Sequence, residues 1–208
     1  MTDTAPTGIG PLDRKIGSGI PAGHSVLLTA PPASQSELIL SSIAGENETL
    51  YLTTERSTAS VERTLDRGRS TTGDVVVRAI DTAEPLTSLY NLLGTRQLPP
   101  VVVIDRIDTV ERRDVDRVRA FLETLQEQAR TTDTVVVMHG SDTEESSTQR
   151  TVTQYIADVV FELREAFDGN TMKTHLFVPK FRGGRALKEP LSLELTGRIV
   201  VDTSRDIA

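Results

Sequence analysis

Short β-rich runs alternate with segments of helical apolar spacing through the first three quarters of the chain. Ser25–Thr29 (SVLLT), Thr49–Thr53 (TLYLT), Asp74–Ile80 (DVVVRAI), Val101–Asp105 (VVVID) and Thr134–His139 (TVVVMH) read as strands. Several are almost continuous in Val, Ile and Leu, as expected of parallel strands buried on both faces. Ser36–Ala44, Thr58–Arg67, Leu86–Leu93 and Arg113–Arg130 read as the helices between them. In the last of these, Val115, Val118, Phe121, Leu122 and Leu125 share one face, with charges opposite. This alternation predicts βαβ units and a parallel sheet. The last quarter differs. Asp158–Ala166, Met172–Lys180 and Leu191–Asp202 read as strands with tight connections such as Asp168-Gly169-Asn170, which predicts antiparallel pairing at the sheet edge. Between the two regimes, the acidic stretch Ser141–Thr148 reads as a surface loop running into a helix that ends near Ala157. The expected fold class is α/β, with a mainly parallel central sheet and an antiparallel C-terminal extension.

Composition narrows the function classes. The 208 residues suffice for one domain over 1–208 with a sizeable core, and are few for two. No apolar run approaches the roughly 18 residues of a membrane span, and Met1–Thr7 lacks the basic-then-apolar order of a signal peptide, so a cytoplasmic location is expected. The absence of cysteine excludes disulfides and thiolate metal sites. His24, His139 and His175 show no metal-ligand spacing, so no metal site is expected. The net charge of −7 argues against a broad nucleic-acid footprint. Lys15, Lys173, Lys180 and Lys188 are the only lysines, and this acidic, threonine-rich, lysine-poor balance fits a high-salt protein.

The first strand is followed by a loop of small residues and a helix, the setting of a phosphate-binding loop. The working pattern GxxxxGK[ST] falls on Ala30-Pro31-Pro32-Ala33-Ser34-Gln35-Ser36-Glu37, where both glycines, the lysine and the hydroxyl residue are replaced. Shifting by one position puts Gln35 at the lysine and Ser36 at the magnesium ligand, still without a lysine. Ser34-Gln35-Ser36-Glu37 also fits a capping box, in which Ser34 and Glu37 would satisfy the helix N-terminus internally. On this stretch alone, a disarmed nucleotide loop and a plain capped helix both stand.

The flanking residues carry a resemblance. Gly8-Ile9-Gly10-Pro11-Leu12-Asp13 followed by Ile16-Gly17-Ser18-Gly19-Ile20-Pro21-Ala22-Gly23 is similar to the lead-in of KaiC-like ATPases of the RecA superfamily. Pro31-Pro32 sits where that family has G-P-P-G-S-G-K-T. Tyr51-Leu52-Thr53-Thr54-Glu55-Arg56-Ser57 resembles its Y-x-S-T-E-E-S segment, Val101–Asp105 its Walker B strand, Thr134–His139 the sensor strand after it, and Lys180-Phe181-Arg182-Gly183 its K-x-R-G segment. The resemblance covers Thr7 to Asp202. It implies a RecA-like three-layer α/β/α fold, with Glu55 as a vestigial base whose acidic partner is replaced by Arg56. It also implies Asp105 as a magnesium-shell carboxylate and Lys180 and Arg182 as finger-like groups acting on a neighbouring subunit.

Three functions follow from this pattern. The first is a non-catalytic regulatory or assembly protein that has lost ATP hydrolysis and binds no cofactor. Its partner would be an active KaiC-like paralogue or a further copy of itself. The second is an ATPase that holds ATP and magnesium through an unorthodox loop. The third is a recombinase-like accessory factor on DNA. The acidic stretch Gly140–Ser146 counts against the third, and Arg182, Arg185 and Lys188 are the compact basic cluster that would favour it.

Overall fold

The computed structural model describes residues 4–67, 73–94, 97–142, 147–168 and 171–202. In chain order the elements are β1 (Thr4–Ala5), α1 (Gly10–Ile16), β2 (Ile20–Pro21), β3 (Ser25–Ala30), α2 (Glu37–Glu46), β4 (Thr49–Thr53), α3 (Thr58–Arg67), β5 (Val75–Ala79) and α4 (Pro85–Leu93). They continue with β6 (Val101–Asp105), α5 (Asp108–Glu111), α6 (Val115–Thr132), β7 (Val135–Ser141), α7 (Thr148–Ile156), β8 (Val159–Asp168), β9 (Thr171–Phe181), β10 (Leu191–Leu195) and β11 (Ile199–Val201). A nine-stranded sheet has the order β11-β10-β9-β8-β3-β7-β6-β4-β5. Strands β8 through β5 in that order are parallel, and β9, β10 and β11 extend the sheet antiparallel.

The strands that read as unbroken apolar runs are central and buried throughout. Every residue of β3 and of β6 is buried. Their side chains alternate between two cores. Val26, Leu28, Val101, Val103, Val135 and Val137 face α1, α2 and α3, where Leu12, Ile39, Leu40, Ile43 and Val61 meet them. Leu27, Val102, Ile104, Val136 and Met138 face α4, α6 and α7, against Leu89, Phe121, Leu122 and Ile156. Helices on both faces of a parallel sheet are what such two-sided strands require.

The segment Leu191–Asp202 is not one strand. It breaks into β10 and β11 at a turn in which the Thr196 N–H donates to the Arg198 carbonyl (3.3 Å) and Gly197 takes φ +82°. The Asp168-Gly169-Asn170 connection between β8 and β9 includes Gly169 and Asn170, which lie outside the described residues, as do 143–146 of the acidic loop. Among the described residues no helix is long and apolar enough to cross a membrane.

The lead-in forms a brace beneath the first core. Asp13 at the start of α1 accepts from the Thr7 N–H (2.9 Å) and the Thr7 hydroxyl (2.8 Å). Gly8 has φ +74°, and a Cβ there would lie 2.4 Å from Ser42 Oγ and 2.9 Å from the Ser42 carbonyl oxygen of α2. Gly8→Ala combines a left-handed backbone with this overlap and is expected to cost about 1–3 kcal/mol, measured by chemical denaturation.

Candidate functional site

The chain leaves β3 through α2 and re-enters the sheet at β4, two strands beyond its neighbour β7. In open α/β sheets this switch opens a crevice at the strand C-termini. Register brings the ends together. Thr53 lies opposite Asp105, and Asp105 opposite His139, while Leu28 of β3 pairs with His139 on the other side.

Across this edge runs a hydrogen-bonded chain of four buried side chains. The Tyr51 hydroxyl donates to Asp105 Oδ2 at 2.8 Å. Asp105 Oδ1 lies 2.7 Å from His139 Nδ1. His139 Nε2 lies 3.0 Å from Ser36 Oγ. Asp105, His139 and Ser36 are 4%, 5% and 5% exposed. A carboxylate accepts only, so His139 carries a proton on Nδ1; in the neutral ring Nε2 accepts from the serine hydroxyl, and in the charged ring it donates to it. Burial pushes the Asp105 carboxyl up, but the hydrogen bonds and charge of His139 and the Tyr51 hydroxyl outweigh it and hold the group below its ordinary value. Burial and the adjacent Asp105 drive the Tyr51 phenol well above its usual range, keeping it a donor.

The loop between β3 and α2 corrects one expectation. Ser34 does not cap α2. Its N–H donates to the Pro31 carbonyl at 3.0 Å and its hydroxyl to the same oxygen at 2.7 Å. The Pro31-Pro32 turn therefore uses up both Ser34 donors, and Glu37 has no Ser34 N–H to meet. Ser36 occupies the N-cap in helical conformation, without a side-chain capping bond, because its hydroxyl is turned to His139.

The other residues singled out from sequence are dispersed. Glu55 is exposed and pairs with Arg106 Nε at 3.5 Å, and Arg106 in turn donates to the Ser141 hydroxyl. Arg56 turns away into α3, donating to the Thr64 hydroxyl at 2.7 Å. Lys180 and Arg182 are bound to their own chain. Lys180 Nζ donates to the carbonyls of Gln154 and Tyr155 (both 2.8 Å), and Arg182 to those of Tyr155 (2.8 Å) and Ile156 (3.0 Å). They cap the orphan carbonyls at the negative end of α7. Desolvation and the neighbouring Arg182 lower the Lys180 ammonium below its usual value. Arg182 also reaches Asp158, so the expected basic cluster divides. Arg185 and Lys188 line a separate groove of about 620 Å³ with Arg14, Lys15 and Glu189.

Two further polar centres flank the site. Asp158 Oδ2 accepts from the Ser25 N–H (3.0 Å), the Ser25 hydroxyl (2.9 Å) and Gln126 (3.1 Å). Arg150 on α7 is buried and makes a fork onto Glu111, with Nε at 2.9 Å and Nη2 at 2.7 Å from Oε2. It also reaches Asp108 (3.2 Å) and the Ser141 carbonyl (2.6 Å). Sequence reading gave no role to His139, Tyr51, Arg106 or Arg150. For His139 a signal existed: a polar residue closing an apolar strand, as Asp105 does in the neighbouring one.

A magnesium–triphosphate finds a poor donor set here. The loop offers no lysine and no glycine between Ala30 and Glu37. Asp105 and Ser36, the two groups that the resemblance would turn toward magnesium, are hydrogen-bonded to His139, and Asp105 also to Tyr51.

A family model described as a family of unknown function, DUF7125, matches residues 4–208. No curated protein matches the chain. Among solved structures, the chain is similar to the crystal structure of a KaiC-like protein from the hyperthermophilic archaeon Pyrococcus horikoshii OT3. The TM-score is 0.77 at 17% identity, over 97% of this chain and 100% of that one. The likeness establishes the fold as the α/β, mainly parallel RecA-like type.

Proposed function

The chain belongs to the DUF7125 family of unknown function, and we propose that it is a KaiC-like protein that no longer hydrolyses ATP and acts as a regulatory or assembly partner. The observation that carries this reading is the Tyr51–Asp105–His139–Ser36 chain at the crevice where the fold would hold a nucleotide. Phosphoryl transfer needs cations and magnesium arranged around the phosphates. Here the carboxylate and the hydroxyl are tied to one another, and the loop cation is missing. Glu55 pairs with Arg106 at 3.5 Å, which holds its carboxylate to a cation of its own chain.

A protein partner is supported by the surface. Phe167 and Met172 face each other near the end of the β8–β9 hairpin and are 79% and 55% exposed, an apolar pair that a partner could cover. The partner would be a KaiC-like paralogue or a second copy of this chain.

The test is thermal unfolding in high salt with 1 mM Mg-ATP. A site of 10 μM affinity would stabilise the fold by about 2.7 kcal/mol, a shift of about 5–10 °C for a chain of this length. The expected shift is zero within error, with no heat in calorimetry. Either a shift or binding heat would sink the reading and direct attention to turnover.

A further inference from the structure

The same buried chain has the connectivity of an activated nucleophile: hydroxyl, imidazole, carboxylate. Ser36 Oγ and His139 Nε2 are 3.0 Å apart, and His139 Nδ1 and Asp105 Oδ1 are 2.7 Å apart, both within the reach that a nucleophile–base–orienter relay requires. A polar network formed only to fill space has no need of this order. Tyr51 adds a fourth member, donating to the second carboxylate oxygen and so fixing the plane of Asp105 against His139.

Ser36 stands at the N-cap of the ten-residue α2, where the positive end of the helix dipole lies beside its hydroxyl, and the Leu38 and Ile39 N–H groups donate to the Gln35 (3.1 Å) and Ser36 (3.0 Å) carbonyls. The exposed residues just before it, Ala33 and Gln35, line a cleft of about 420 Å³ with Met172, Thr174, Leu193 and Leu195, and Ser36 itself, 5% exposed, is next to that lining in sequence and not part of it. That volume is within the range of small-ligand sites, and its lining mixes apolar and polar side chains.

We infer that Ser36 is a nucleophile, with His139 as its general base and Asp105 as the positioning residue, acting on a small carboxylic ester. Ser36 Oγ attacks the ester carbonyl and its proton passes to His139 Nε2. The bond to the leaving oxygen breaks, and that oxygen takes the proton from His139. Water then gives a proton to His139 and adds to the acyl carbon, and Ser36 departs and recovers the proton. No co-reactant other than water is required. The inference rests on the reading that the crevice does not hold a triphosphate.

The experiment is labelling of the folded protein with an alkyl fluorophosphonate, followed by peptide mass spectrometry. Ser36 Oγ would bond to phosphorus, fluoride would leave, and the hydroxyl proton would go to His139. The expected result is a single adduct on Ser36, absent from Ser36→Ala and from heat-unfolded protein. His139→Gln is expected to slow labelling by about 10²–10⁴-fold, and Asp105→Asn to slow it as well, by misorienting the imidazole. The second variant decides the matter should the first fail to fold. An unlabelled Ser36 in folded protein overturns the inference, and so does labelling of folded Asp105→Asn at the wild-type rate. Binding heat from Mg-ATP would instead strike the nucleotide-free reading beneath it, so the two failures are told apart.

Discussion

Arg150→Met is expected to destabilise the protein by about 3–5 kcal/mol in a denaturant titration. Methionine keeps much of the volume, so the loss is electrostatic. Arg150 lies 7% exposed on α7 and holds Glu111 through three contacts of 3.0 Å or less. Glu111 is also buried, and its other donor is the Thr153 hydroxyl at 2.6 Å. Burial alone would lower the Arg150 guanidinium, but Glu111 and Asp108 reverse this and raise it further. Removing the cation leaves a carboxylate in a dry site with one neutral donor. Total stabilities of about 5–15 kcal/mol make this a large fraction. The double variant Arg150→Met, Glu111→Leu is expected to recover much of the loss. Gly140 supplies an independent check. A Cβ there would lie 2.3 Å from Arg150 Nη2, and the guanidinium has no room to retreat while it holds Glu111, Asp108 and the Ser141 carbonyl. Gly140→Ala should therefore be costly in the wild type and mild beside Arg150→Met. Additive losses, or less than about 1 kcal/mol for Arg150→Met, would remove the network from this account.

Asp158→Ala is expected to cost about 3 kcal/mol and to flatten the acid side of the stability profile. Asp158 lies between α7 and β8, where one oxygen takes three donors from Ser25 and Gln126 and the other faces Arg182 at 3.3 Å. Alanine strands the buried Ser25 N–H, while Gln126 Nε2 keeps the Ile156 carbonyl (2.8 Å) and the Ser25 hydroxyl (3.2 Å). Burial raises the Asp158 carboxyl, yet the two Ser25 bonds, the charge of His24 and the hydrogen bond from Arg182 outweigh it, so its folded value lies below the ordinary one. A depressed carboxylate contributes stability that is fully present above its unfolded value, about pH 3.9, and that is lost as pH falls through its folded value. The wild type should therefore lose stability steeply below about pH 4, and Asp158→Ala less steeply. Asp105, also depressed, keeps part of the slope in the variant. Equal slopes in the two proteins would contradict the assignment.

The identity of the parallel strands was legible because it rests on local composition. A strand covered on both faces is apolar through its middle, and VVVID, SVLLT and VVVMH are, with polar residues only at their ends. The lead-in was legible as well, since its glycines answer local backbone demands, as Gly8 at φ +74° shows. Element ends were less so. The short helix α5 went unread because four residues carry no period, and the β10–β11 break was hidden by an apolar pattern that continues across Thr196-Gly197-Arg198. The capping box failed for a related reason. Ser34 and Glu37 have the right spacing, but a turn at the two prolines, which spacing does not encode, claimed the Ser34 donors first.

The candidate site shows where local information ends. Asp105 was singled out by the resemblance of Val101–Asp105 to a Walker B strand, and Ser36 by the phosphate-loop pattern laid on Ala30–Glu37. Their connection through His139 spans 34 residues in one direction and 103 in the other. The same holds for Lys180 and Arg182, which chain position makes available as reaching cations and which packing binds to the end of α7. The sequence by itself determined the strand and helix types, the parallel sheet and the absence of a lysine between Ala30 and Glu37, because each is set by residues near one another in the chain. Only the tertiary structure decided what meets at the strand ends beside that loop. Strand order and register place Tyr51, Asp105, His139 and Ser36 within hydrogen-bonding distance, and register is fixed by the burial of whole strands rather than by the residues at their tips.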